Sequence, residues 1–146
     1  MPPAGAPRPH FRTVALIVGA AMFMEQLDGT VLATALPSMA RELGVSAPSM
    51  SIALTSYLIS LAIFIPVSGR IADRFGARTV FRNAIIVFLL GSIACAWASN
   101  IYFLVAARSI QGVGGALMLP VGRLVLNRSV EKRDLMEILL RRSNLI

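Results

Sequence analysis

Four stretches of the sequence, residues 13–36, 48–68, 80–98 and 102–126, are each about twenty residues long and mostly apolar, and nothing else constrains the fold as strongly. A helix rises about 1.5 Å per residue, so roughly 20 apolar residues are what a helix needs to cross the hydrocarbon of a bilayer. A soluble helical bundle would carry a charged stripe on every helix, and long parts of these stretches carry none. The chain is 56% hydrophobic and 14% charged. Soluble domains lie nearer about 45–50% and 25%. The expectation is an all-α membrane protein with four transmembrane helices. Residues 1–12 then form an N-terminal tail, 13–126 the membrane region and 127–146 a basic C-terminal tail.

Turn-forming residues separate the spans: Pro37 and Pro48, then Gly69 and Gly76, then Ser99 and Asn100. The first span also resembles a signal peptide, with Arg8 and Arg12 in front and Ala33-Thr34-Ala35 like a cleavage site. Glu25 and Asp28 interrupt the stretch and it is too long for that, so it reads as a span. Arg8 and Arg12 precede the first span, and Arg41, offset by Glu42, follows it. Arg70, Arg74, Arg78 and Arg82 fill the second connection, the third has no basic residue, and Arg128, Lys132, Arg133, Arg141 and Arg142 follow the fourth span. Basic and neutral connections alternate, which predicts that both termini are cytoplasmic.

The net charge of +7 raises the possibility of a nucleic-acid partner, but the basic residues flank apolar runs and are not interleaved with aromatics on a polar face. No nucleic acid is expected. Cys95 is the single cysteine, inside an apolar run, and reads as a small packing residue. His10 stands alone in a Pro-rich tail. With no metal-ligand cluster and no nucleophile–base pair, neither an enzyme, a metal nor a cofactor is expected.

Three ionisable residues lie inside spans: Glu25 and Asp28 in the first, Arg108 in the fourth. Each costs about 2.5–3.5 kcal/mol near the bilayer centre, so each should face a partner or a polar cavity. Arg123, near a span end, can snorkel to the interface. Asp28 is eight residues from residue 36, and Arg108 seven from residue 101, so both sit roughly 11–12 Å below the same rim. The two are matched in depth. Glu25 is one turn deeper on the face of Asp28, with no buried cation left for it. The plainer reading is an Asp28–Arg108 clip between helices. The functional one is a proton-handling site in which Glu25, the less compensated acid, takes up and releases the proton. Gln111 and Gly112 share the face of Arg108. Gly112, Gly114, Gly115 and Ala116 thin the fourth helix for close approach of another, and Pro120 is expected to bend it.

Between the second and third spans stands GRIADRFGARTVFR, residues 69–82. A positive-inside loop with glycine turns explains its arginines but not Asp73, nor the Gly-x-x-x-Asp-Arg-x-Gly spacing. Gly69-Arg-Ile-Ala-Asp-Arg-Phe-Gly-Ala-Arg78 resembles the signature loop of the major facilitator superfamily, in its drug:proton antiporter branch of the fourteen-helix type. Arg108-Ser-Ile-Gln-Gly-Val-Gly-Gly-Ala116 resembles the fourth-helix signature of that branch, and Leu27-Asp-Gly-Thr-Val with Ala35-Leu-Pro37 the first-helix one. The three motifs come in order and cover about residues 14–135. Ala77 departs from the usual basic residue of the loop and Ala33 from a common polar residue of the first helix.

The resemblance implies the first part of an N-terminal six-helix bundle of a multidrug efflux permease in the cell (inner) membrane. It implies a proton-coupled antiporter that exports drug-like, amphipathic or cationic small molecules. Asp28 and Arg108 are then implicated in proton coupling, and together with Glu25 and Gln111, reached above from the residues themselves, they make up the expected proton-coupling and substrate-cavity set. Gly69, Asp73, Arg74, Gly76 and Arg78 form the loop that locks two halves of the transporter, and Gly112 and Gly115 pack helices. Family members continue into a Gly/Pro-rich fifth helix, whereas residues 135–146 are too short and charged to span and read as a surface helix or an aberrant end. The expectation is an incomplete, inactive chain that lacks its partner half. Two other readings are a self-contained four-helix exporter working as a homodimer, like the small multidrug resistance proteins, and a membrane accessory protein without transport.

Overall fold

The computed structural model describes the backbone of residues 9–143 and the side chains of residues 12–128. It is built from four helices: α1 (Pro9–Glu42), α2 (Ala47–Phe75), α3 (Ala77–Ala96) and α4 (Ile101–Ser143). Among the described residues all four are long and apolar enough to cross a membrane, over Arg12–Glu42, Ala47–Phe75, Ala77–Ala96 and Ile101–Arg128. Residues 1–8 and 144–146 of the two tails lie outside the described residues.

The breaks between helices are short, and each has a local cause. After α1, Gly44 takes φ +63°. Val45 N–H donates to Ala40 O at 3.0 Å and Gly44 N–H to Arg41 O at 3.3 Å, the pair of bonds that closes a helix end on a left-handed glycine. Ser46 then caps α2, its side chain accepting from Ser49 N–H, with Pro48 in the first turn where a missing N–H costs nothing. Between α2 and α3 only Gly76 is non-helical, at φ +86°. Asn100 opens α4 by accepting the Phe103 N–H at 2.8 Å.

Two expected punctuation marks are corrected. Pro37 does not end the first helix: it lies inside α1, which continues to Glu42. Proline is tolerated inside membrane helices although its missing N–H frees the carbonyl four residues back, here that of Ala33. Gly69 is no turn either. It lies within α2, so residues 69–78 form a helix end, a single-residue break and a helix start rather than a loop. Beyond the fourth span, α4 runs unbroken from Ile101 to Ser143, so the backbone of residues 127–143 of the basic tail continues the helix. From Arg123 to Ser143 the sequence holds neither Gly nor Pro, so nothing local stops the helix.

Helix α4 is the centre of the bundle. It packs most extensively on α2 and α3, and more lightly on α1. Two apolar clusters form along it. One, with Val18, Ala72, Phe81, Phe88 and Met118, lies toward the α2–α3 break. The other, with Ala40, Met50, Leu104 and Ala107, lies toward the α1–α2 turn. Large apolar side chains such as Leu16, Phe23, Leu58, Ile63 and Leu90 point outward, as lipid-facing residues do. Trp97 and Tyr102, 80% and 85% exposed, stand at the α3–α4 turn, where an aromatic belt meets the membrane–water boundary.

Candidate functional site: a polar layer in the bundle

Between the two apolar clusters lies a layer of buried polar side chains: Glu25 of α1, Ser60 of α2, and Arg108 and Gln111 of α4. Arg108 organises it. Its Nη1 donates to Asp28 Oδ2 at 2.6 Å and to Gln111 Oε1 at 2.9 Å, with Arg108 only 5% and Asp28 16% exposed. The two groups matched in depth by helix rise alone are therefore in contact. Cys95 Sγ of α3 donates weakly to the same Gln111 Oε1 at 3.6 Å. Asp28, Arg108, Gln111 and Cys95 thus tie α1, α4 and α3 at one level.

Glycine makes this closeness possible. A Cβ at Gly91 of α3 would stand 2.7 Å from Gln111 Cβ and 2.8 Å from its Cα, so the backbone of α3 touches α4 where Gln111 sits. A Cβ at Gly112 would meet Ser60 Cβ at 2.7 Å and Tyr57 O at 2.8 Å, and one at Gly114 would meet Phe88 N at 2.6 Å. These contacts are with backbone or with Cβ atoms that cannot swing away, so residues larger than glycine force the helices apart. Ser56 Oγ adds a cross-helix hydrogen bond to Val105 O at 3.4 Å.

Glu25 belongs to the same layer but to a different environment. It is 8% exposed and forms no ion pair among the described residues. It lines an open cavity of about 330 Å³ with Gln26, Gly29 and Thr30 of α1, Tyr57 and Leu61 of α2, and Leu119 of α4. The Tyr57 hydroxyl faces the carboxyl. Glu25 Oε1 and that hydroxyl each stand 3.1 Å from where a Gly115 Cβ would be. Three buried polar atoms of the layer have no hydrogen-bond partner among the described residues: Glu25 Oε2, Arg108 Nε and Gln111 Nε2. Leaving such a group unpaired costs about 1–3 kcal/mol.

A model of the Major Facilitator Superfamily matches residues 18–139. The chain belongs to that superfamily. It is 46% identical over 125 residues to the HsrA transport protein of Haemophilus influenzae, covering 86% of this chain and 27% of that protein. It is 48% identical over 120 residues to the MdtD multidrug resistance proteins of Citrobacter koseri and Klebsiella pneumoniae, covering 82% of this chain and 26% of each. It therefore spans about a quarter of the length of these curated relatives. A multi-pass membrane protein of a transporter family is what the superfamily match and the four apolar helices together establish.

In this member of the superfamily the sequence-predicted residues fall into three groups. Asp28, Arg108 and Gln111 come together, and Gln111 is wholly buried beside Arg108 rather than on the cavity wall. Glu25 and Gly115 flank the cavity. Gly69, Asp73, Arg74, Gly76 and Arg78 are exposed at the α2–α3 break, well away from the polar layer. There Asp73 Oδ1 lies 3.5 Å from Arg128 Nη2 of α4, and the Arg74 guanidinium stands 5.6 Å over the Phe75 ring. Nothing lies within 4 Å of a Cβ added at Gly69, so no packing among the described residues requires that glycine.

Participants beyond the expected set include Tyr57, Ser60, Gly91, Cys95 and Arg128. Tyr57 had a signal. It is nine residues into the second span, roughly 13–14 Å from its start, between the depths of Asp28 and Glu25. Gly91 had none, because an isolated glycine in an apolar run does not say which helix approaches it. Arg128 was legible only as one more basic residue after the fourth span.

Proposed function

We propose that the chain is part of a proton-coupled efflux transporter for drug-like, amphipathic or cationic small molecules. It would lie in the bacterial inner membrane with the basic connections on the cytoplasmic side. The observation that carries this reading is Glu25, a buried carboxylate without an ion pair among the described residues, on the wall of an open cavity inside four membrane-length helices. A carboxylate in that position exchanges a proton or accepts a cation, and it is expensive to keep for packing alone. The adjacent Asp28–Arg108 pair supplies a fixed charge arrangement beside it. In this division of labour Arg108 and Asp28 hold the geometry, and Glu25 changes its partner as substrate enters. The multidrug resistance names of the MdtD relatives support the substrate class.

At the other end, the Asp73–Arg128 contact with Gly76, Arg74 and Arg78 is read as the part that locks and releases the bundle during alternating access. The test is a chimera in which residues 18–139 replace the matching segment of a MdtD relative. With the native segment, everted vesicles should extrude a cationic dye in proportion to the imposed proton gradient. Glu25→Gln should remove that dependence. Gradient-driven efflux that survives the substitution would overturn the assignment.

A further inference from the structure

Tyr57 is the feature of the cavity that the proposed function leaves unused. Resting on the reading of Glu25 as the group that meets the substrate, we propose that the Tyr57 hydroxyl is a competitor for the Glu25 carboxylate, and that this competition makes the site reject neutral hydrogen-bond donors in favour of cations. Three observations carry it. The hydroxyl and Glu25 Oε1 converge on one point, each 3.1 Å from the Cβ position of Gly115, on a helix whose glycine leaves them free to meet. Tyr57 and Glu25 both line the cavity, so an entering molecule meets the two together. Among the described residues no Lys or Arg lines that cavity; its donors are neutral, and with the Thr30 hydroxyl bonded to Gln26 O the Tyr57 hydroxyl is the one placed beside Glu25 Oε1.

The physical consequence is a difference of affinities. A neutral alcohol or amide gains, at Glu25, a hydrogen bond of the kind the Tyr57 hydroxyl offers, so taking the place of the hydroxyl returns almost nothing. A cation brings an opposite charge, which no neutral donor does, and so outcompetes the hydroxyl through Coulomb attraction in the low dielectric of the bundle. The rest of the wall does not discriminate by charge: Leu61 and Leu119 offer apolar contact, and Gln26 and Thr30 neutral polar contact. Selectivity thus comes from an occupied acceptor rather than from a better-fitting one, a case of rejection built into the site.

The experiment uses the whole chain in lipid nanodiscs, with empty discs subtracted, and three probes of one shape. Methyltriphenylphosphonium is the cation, triphenylmethanol the neutral donor and triphenylmethane the neutral molecule without a donor. Calorimetric titration of the native chain should show methyltriphenylphosphonium bound more tightly than triphenylmethanol, and Glu25→Gln should abolish that preference. Failure of either result removes the reading of Glu25 itself, and this proposal with it. With both in hand, Tyr57→Phe should tighten triphenylmethanol by roughly 2- to 10-fold, the worth of one neutral hydrogen bond. Triphenylmethane should not change, and the cation preference should narrow. Triphenylmethanol affinity that stays level or falls would overturn the competition while leaving Glu25 in its role. Gly115→Ala keeps Tyr57 but wedges a methyl 3.1 Å from both groups, and should narrow the preference in the same direction by less. If Tyr57→Phe loses its helical circular dichroism, Gly115→Ala decides alone.

Discussion

Two aspartate–arginine pairs tie other helices to α4, and they differ in almost everything except their chemistry. Asp28 and Arg108 meet at 2.6 Å with side chains 16% and 5% exposed, inside the membrane-length part of the bundle. Asp73 and Arg128 meet at 3.5 Å with side chains 71% and 52% exposed, at its end. The buried pair cannot trade its partner for water. Each ion there depends on the other and on Gln111, so the pair dictates how α1 sits on α4. The exposed pair has water as an alternative at every moment and so binds weakly. Environment, not residue type, separates the two pairs.

The comparison can be broken most sharply at Arg108. Arg108→Ala should cost about 3–5 kcal/mol, because it strands Asp28 without a countercharge. Thermal unfolding of the purified chain should show it, and Asp28→Asn added to that variant should restore much of the loss. A loss no larger than that of Asp73→Asn would mean that burial does not separate the pairs.

The glycine contacts come next. Gly91→Leu and Gly112→Leu should each destabilise by about 1–3 kcal/mol or more, since the atoms they meet are backbone or Cβ atoms without rotamer freedom. Gly69→Leu, with nothing within 4 Å, should leave the unfolding temperature unchanged. Equal effects at positions 69 and 112 would contradict the packing described here.

Smaller again is the contrast between the two acids of α1. Glu25→Gln removes no ion pair and is expected to leave stability within about 0.5–1 kcal/mol of the native chain, whereas Asp28→Asn removes one. Measured side by side, a greater loss at Glu25 would reverse the roles given to them. The smallest effect is expected at the exposed pair: Asp73→Asn should change stability by about 0–1 kcal/mol, and 1 M salt should erase the difference.

How much of this was legible before the structure varies by region. The four helices and the superfamily followed from the length of the apolar runs and from three ordered motifs. The Asp28–Arg108 contact followed from counting residues inward from two span ends, because the rise per residue of a helix is nearly constant. The same count was available for Tyr57, which carries no charge and so did not ask for a partner. Pro37 and Gly69 misled, because a residue that breaks an isolated helix is carried through by tertiary packing and by the absence of competing water.

The sequence by itself therefore determined the class of the protein, the spacing of its elements and the depth of each polar side chain along its helix. Those properties depend on local geometry and on the free energy of placing side chains in lipid, and both are properties of short stretches of chain. Only the tertiary structure decided which neighbour each side chain meets at that depth. Helix rise is a coordinate along one axis, whereas the rotation of each helix and the choice of neighbour come from the bundle closing as a whole. That is why Gly91 lies against Gln111, Arg128 reaches Asp73, and Tyr57 faces the one buried acid without a countercharge among the described residues.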